Sequence, residues 1–179
     1  MRAKATALAL AKPVTMMTAV GVIFLFVAPL TGFSSSVVED VVDQHCQTMP
    51  VEVPSPEASE VNRWFSDKLP FRMATPQFRD RRVTLLGGRL SRVRGSQERG
   101  SLPAAHLIYR VGHHKMSVLI FDGRDQLPML DNEAPETAKP IFREIRGHRV
   151  ALYHRGGLTY AVTSTLPESE MMDVMGTSL

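Results

Sequence analysis

Residues 13–33, PVTMMTAVGVIFLFVAPLTGF, form a run of 21 residues without a charge. No other feature narrows the options of this chain so far. At roughly 1.5 Å per helical residue, a run of this length spans roughly 30 Å, the thickness of a bilayer's hydrocarbon layer. Inside that layer the backbone must satisfy its own hydrogen bonds, so the run is expected to be a transmembrane helix. Arg2, Lys4 and Lys12 precede it, and Glu39, Asp40 and Asp43 follow it. The positive-inside rule then places the N-terminus in the cytoplasm and the C-terminal part outside the cytoplasmic membrane, a single-pass topology. A cleaved signal peptide would share the basic start and apolar centre. Pro29 opposes cleavage after Ala28, and no small-x-small site follows before the serines at 34–36. A retained anchor is therefore expected. The chain divides into a cytoplasmic stub (1–12), the transmembrane helix (13–33), a juxtamembrane helix and linker (34–54) and an extracytoplasmic domain (55–179).

The charges outside the anchor are balanced. Three of the 21 basic residues lie before the apolar run, and the 18 that remain meet all 18 acidic ones. A neutral outer part lacks the electrostatic footprint of a nucleic-acid binder, so nucleic acid is not an expected partner. The RDRR run at 79–82 reads as local, solvated charge. Cys46 is the single cysteine, so no intramolecular disulfide can form and packing must hold the domain together. Pairing of Cys46 between chains is open to it, and a free thiol is the simpler expectation.

The pattern then points to an α+β domain. Val37, Val38, Val41 and Val42 recur at helical spacing, with acids on the other side. PVEVPSPE (50–57) reads as a linker or edge strand. A helix is expected over 56–69, with Ser55 as N-cap, Pro56 in the first position and Pro70 as the stop. Its apolar face holds Val61, Trp64, Phe65 and Leu69, and Trp64 is expected to anchor the helix on a sheet. Strands follow at 83–93, with Gly87-Gly88 as a bulge or corner, and at 104–111. The segment 116–121 is apolar on both faces and is expected at the centre. Residues 122–140 read as a long exposed loop. A last hairpin covers 149–153 and 158–163 around His154-Arg155-Gly156-Gly157. A short closing helix is expected to use Thr165 and Glu168 as a capping box, with Met171, Met172 and Met175 facing inward. The sum is an antiparallel sheet of four to six strands flanked by helices.

Chemistry is sparse. G-x-S-x-G, G-x-x-x-x-G-K-[ST], H-E-x-x-H and C-x-x-C are all absent from the sequence. His113 and His114 are adjacent in a turn, where side chains diverge. His148 and His154 share a strand face but stand about 20 Å apart, too far for one ion. His45 beside Cys46 would need ligands from a second chain. Carboxylates crowd only the 122–136 stretch, where solvation explains them. No catalytic, cofactor-binding or metal-binding residue is therefore assigned, no cofactor is expected, and the chain is not expected to be an enzyme.

Several segments, taken in order, resemble the extracytoplasmic domain of membrane-anchored anti-sigma factors. They are His45 with MPVEV at 49–53, VNRWFSDKLPF at 61–71, LLGGRL at 85–90, LIYRVGHHKMSVLIF at 107–121 and RGHRVALYHRGGLTYAVTSTL at 146–166. The resemblance implies a regulatory protein whose outer domain senses a signal or binds a partner. The partner it implies is a sigma factor or an intermediary membrane protein. Many members carry a cytoplasmic helical domain with an H-x-x-x-C-x-x-C zinc motif. The stub at 1–12 has no His or Cys and is too short to fold. The resemblance therefore carries the sensor half only, and an envelope structural or assembly protein is the alternative expectation.

Overall fold

The computed structural model describes residues 35–78, 80–95, 100–123 and 140–176. The expected stub, the transmembrane segment and nearly all of the 122–140 stretch lie outside these residues. Among the described residues no helix is long and apolar enough to cross a membrane.

The fold is α+β. Six strands form one antiparallel sheet: β1 (Val83–Arg94), β2 (Ser101–Val111), β3 (His114–Phe121), β4 (Ile141–Ile145), β5 (His148–Arg155) and β6 (Leu158–Ser164). Their spatial order is β1-β2-β3-β6-β5-β4. β3 is central, as its two-sided apolar pattern requires. Helix α1 (Ser35–Cys46) covers one face of the sheet, and α2 (Ala58–Phe65) and α3 (Glu168–Met175) cover the other. Alternation along the strands sorts the core into two layers. Leu107, Tyr109, Val118, Ile120, Tyr160 and Val162 point towards α2 and α3. Ala104, Leu119, Phe121, Val150, Leu152 and Ala161 point towards α1.

The docking of α1 revises the expected boundary at residue 55. Val37, Val38, Val41 and Val42 do form one helical face, and that face is buried on the sheet. Each buried valine contributes roughly 1.5–3 kcal/mol relative to exposure. Polar links fix the helix to β1. Gln44 Nε2 donates to the Arg92 carbonyl at 2.8 Å, and the Arg94 amide donates to Asp40 at 2.9 Å. Residues 35–46 therefore belong to the globular unit and not to a free juxtamembrane linker.

Helix α2 is shorter than the expected 56–69. Glu57 keeps an extended backbone (φ −88°, ψ 112°) and is the N-cap, while the Ser55 hydroxyl accepts the Glu57 amide at 3.1 Å. At the other end the Ser66 hydroxyl donates to the Arg63 carbonyl at 2.7 Å, ending the helix before Pro70. Val61 and Phe65 are fully buried, whereas Trp64 is only partly covered. Trp64 meets Phe65 edge-on with centroids 4.9 Å apart, and Lys68 Nζ lies 4.8 Å from its ring centroid. The anchor is thus Phe65, one position and about 100° around the helix from the expected tryptophan.

The glycine pair explains how Phe65 reaches the sheet. A Cβ on Gly88 would lie 2.9 Å from the Phe65 ring. The ladder slips between Leu85 and Gly87, the expected bulge. Gly87 has φ 137°, and a Cβ there would lie 2.2 Å from the Val53 carbonyl oxygen. That close approach lets Val53 bridge Gly88 and cover the edge of β1. Gly87→Ala is expected to cost roughly 1–3 kcal/mol in a urea melt, the scale of a strained backbone. A neutral result would mean that residues 50–54 do not lie against β1.

The closing region holds two further differences. β4 has no counterpart among the expected strands. It is a short edge strand with Arg143 and Glu144 exposed, joined to β5 through Arg146-Gly147, both at positive φ (52° and 74°). α3 has Pro167 as N-cap and no side-chain capping bond. The Thr165 hydroxyl is taken instead by His114 Nδ1 at 3.2 Å. Val174 joins Met171 and Met175 in the core in place of Met172.

Candidate functional site

Polar groups gather where the C-terminal end of α1 meets the sheet. Alternation aims Arg89 and Ser91 of β1, His106 of β2, and Lys115 and Ser117 of β3 at the face that α1 covers. Register aligns them, because Arg89 pairs with His106 and Ser117 pairs with Thr163 of β6. The last turn of α1 supplies Gln44, His45 and Cys46 from above, and β5 supplies His148.

The contacts are specific. His45 Nδ1 and the Ser117 hydroxyl share a hydrogen bond of 2.7 Å. Arg89 Nε donates to His106 Nδ1 at 3.3 Å. Lys115 Nζ donates to the backbone carbonyls of His45 and Gln47, capping the negative end of α1. Outside the buried cluster, Cys46 Sγ lies 3.7 Å from His148 Nε2, and His148 Nδ1 donates to the Arg146 carbonyl at 3.0 Å.

Electrostatics keep the buried imidazoles neutral. Burial, then Lys115 and His148, lowers the His45 pKa from the ordinary 6.5 to about 4. Burial, then Arg89, Lys115 and His45, lowers that of His106 to about 3. Two buried atoms in this region, His106 Nε2 and Thr163 Oγ1, have no hydrogen-bond partner among the described residues.

Catalysis is poorly served by this arrangement. Ser117 is fully buried, so its contact with His45 is structural and not a nucleophile awaiting substrate. Cys46 is exposed and close to an imidazole, the beginning of a thiol–base pair. Among the described residues no group of three His, Cys, Asp or Glu side chains can hold a metal ion. His148 and His154 stand at opposite ends of β5, and His113 is exposed in the β2–β3 turn.

A groove of about 300 Å³ opens on the opposite face between α2 and the start of β1. Pro56, Pro76, Phe78, Leu85 and Tyr109 line it. The Tyr109 hydroxyl donates to the Pro76 carbonyl at 2.9 Å, and its ring meets Phe78 edge-on at 5.1 Å.

Comparison with protein-family models, curated proteins and solved structures finds no match. The site must therefore be read from its own residues. Of the residues weighed as ligands from the sequence, the fold brings His45, Cys46 and His148 together. Arg89, His106, Lys115 and Ser117 join them without having stood out in the sequence. A signal is present for them: Ser117 interrupts the otherwise apolar 116–121 run, and Arg89 and His106 fall at core-facing positions of their strands.

Proposed function

We propose that this chain is a membrane-anchored regulatory protein of the anti-sigma-factor type, whose outer domain senses an envelope signal or binds a partner. The observation that carries the reading is the position of α1. It begins within two residues of the uncharged 13–33 run and is docked on the sheet through four buried valines. A rearrangement of the sheet face would therefore act directly on the segment entering the membrane. The ordered resemblance over 45–166 and the charge asymmetry around 13–33 support the same reading.

Two measurements test it. A reporter active only outside the cytoplasm should work when fused after Leu179 and fail when fused after Lys12. The chain should stay with membranes through a carbonate wash at full mass. A soluble, N-terminally trimmed product would overturn the anchored reading. Deleting residues 35–179 should change expression of an extracytoplasmic-stress regulon. An unchanged transcriptome under envelope stress would instead favour an assembly role in the envelope.

A further inference from the structure

The seam between α1 and the sheet is apolar along its valine face, with polar links to β1 at its margin and a polar cluster at its C-terminal end. There the groups that face one another are cations and imidazoles. His45 of α1 faces Lys115 and Ser117 of β3 and lies edge-on to His148 of β5, with centroids 5.2 Å apart. His106 of β2 faces Arg89 of β1. The carboxylate acting on Arg89 is Glu52, whose own hydrogen bond goes to the Leu90 amide. The acids of α1 itself turn elsewhere. Asp40 accepts from the Arg94 amide and Gln44, and Asp43 accepts from Arg146 at 2.6 Å.

The Arg89–His106 contact fixes the state of that ring. A guanidinium has donors only, so the nitrogen it meets must be bare. The single proton of neutral His106 therefore sits on Nε2, the atom without a partner among the described residues. A second proton would have to go on Nδ1, where it would face an N–H of Arg89 across 3.3 Å. His106 is 2% exposed and His45 is 4% exposed, so water cannot solvate either imidazolium while α1 is docked.

We propose that acidification releases α1 from the sheet, because burial and the facing cations both oppose the protons that His106 and His45 gain, while the sheet itself stays folded. The use of this release as a signal rests on the regulatory reading above; the release does not. Once α1 lifts, both rings meet water and recover an ordinary proton affinity. The undocked form then binds more protons than the docked form below pH 6.5. Docking is complete above that pH and weakens as pH falls towards the docked values of about 4 for His45 and about 3 for His106. At pH 5 each ring lowers the docking constant about thirtyfold, together about a thousandfold.

Hydrogen exchange of the full-length chain in detergent micelles, corrected for intrinsic exchange at each pH, tests the release. Amides of α1 should lose protection by two to three orders of magnitude (about 10²–10³) between about pH 7.5 and 5, while β3 and β6 keep theirs. A double variant, His45→Gln with His106→Gln, keeps neutral partners for Ser117 and Arg89 and takes up no proton. It should hold α1 protection steady across this range. If that variant is undocked already at neutral pH, the single variants His45→Gln and His106→Gln decide, because each removes one ring and should cut the acid response of α1 about thirtyfold. Protection of α1 that ignores pH, that falls together with β3 and β6, or that responds fully in both single variants would overturn the proposal.

Discussion

Replacing Phe65 by alanine is expected to destabilise the α+β domain by about 3–5 kcal/mol, the usual cost of truncating a buried aromatic side chain. The ring is fully buried between α2 and the glycine-lined stretch of β1, and Gly88 leaves no Cβ to fill the space it would vacate. Much of the stability of a small domain would be lost. The neighbouring substitution Trp64→Ala is expected to cost only about 1–2 kcal/mol, because it removes a partly covered ring and a cation contact from Lys68. Urea melts of a soluble fragment spanning 34–179 compare the two. Equal losses, or a larger loss at Trp64, would contradict the packing of α2 described above.

A fragment that starts at residue 48 is expected to behave much worse than one that starts at 34. Without α1, the face built from Leu119, Phe121, Val150, Leu152 and Ala161 stands open to water. An apolar patch of that kind promotes association. Within the intact chain, Val41→Asp places an uncompensated carboxylate under a helix at a fully buried position. The expected penalty is about 3–5 kcal/mol, the scale of an unpaired buried charge. Size-exclusion profiles and melts check both changes. A monomeric 48–179 fragment as stable as 34–179, together with a Val41→Asp loss below about 1 kcal/mol, would show that α1 adds nothing to the core.

Much of the sheet is legible in local chemistry alone. Strand-like apolar patterning locates β1, β2, β5 and β6, a run apolar on both faces locates β3, and the glycine pairs at 87–88 and 156–157 mark the bulge and a hairpin turn. The valine spacing reveals α1 as a helix, although periodicity cannot say what a helix packs against. A clue lies in β3, whose two apolar faces demand cover on both sides of the sheet. β4 is hidden because a short, charged edge strand looks like a loop. The buried polar cluster is hidden for a different reason. Its members belong to α1 and several strands, and only register brings them into contact. Trp64 and Phe65 show a smaller failure of the same kind, since residue size suggests one neighbour and helix phase selects the other.

The strand order β1-β2-β3-β6-β5-β4 also bears on how the chain folds. Each three-stranded half is a meander made from neighbours in sequence, so each can zip up through short turns. The two halves meet only where β3 pairs with β6, a contact that runs from Met116–Ser164 to Phe121–Thr159. Forming it closes a loop that contains residues 122–140 and the β4–β5 hairpin. Loop-closure entropy grows only logarithmically, so doubling that loop costs roughly 0.6 kcal/mol. This topology predicts two fast local events followed by one slower joining step. In chain-entropy terms, the spacing in sequence between β3 and β4 is therefore a weak determinant of stability.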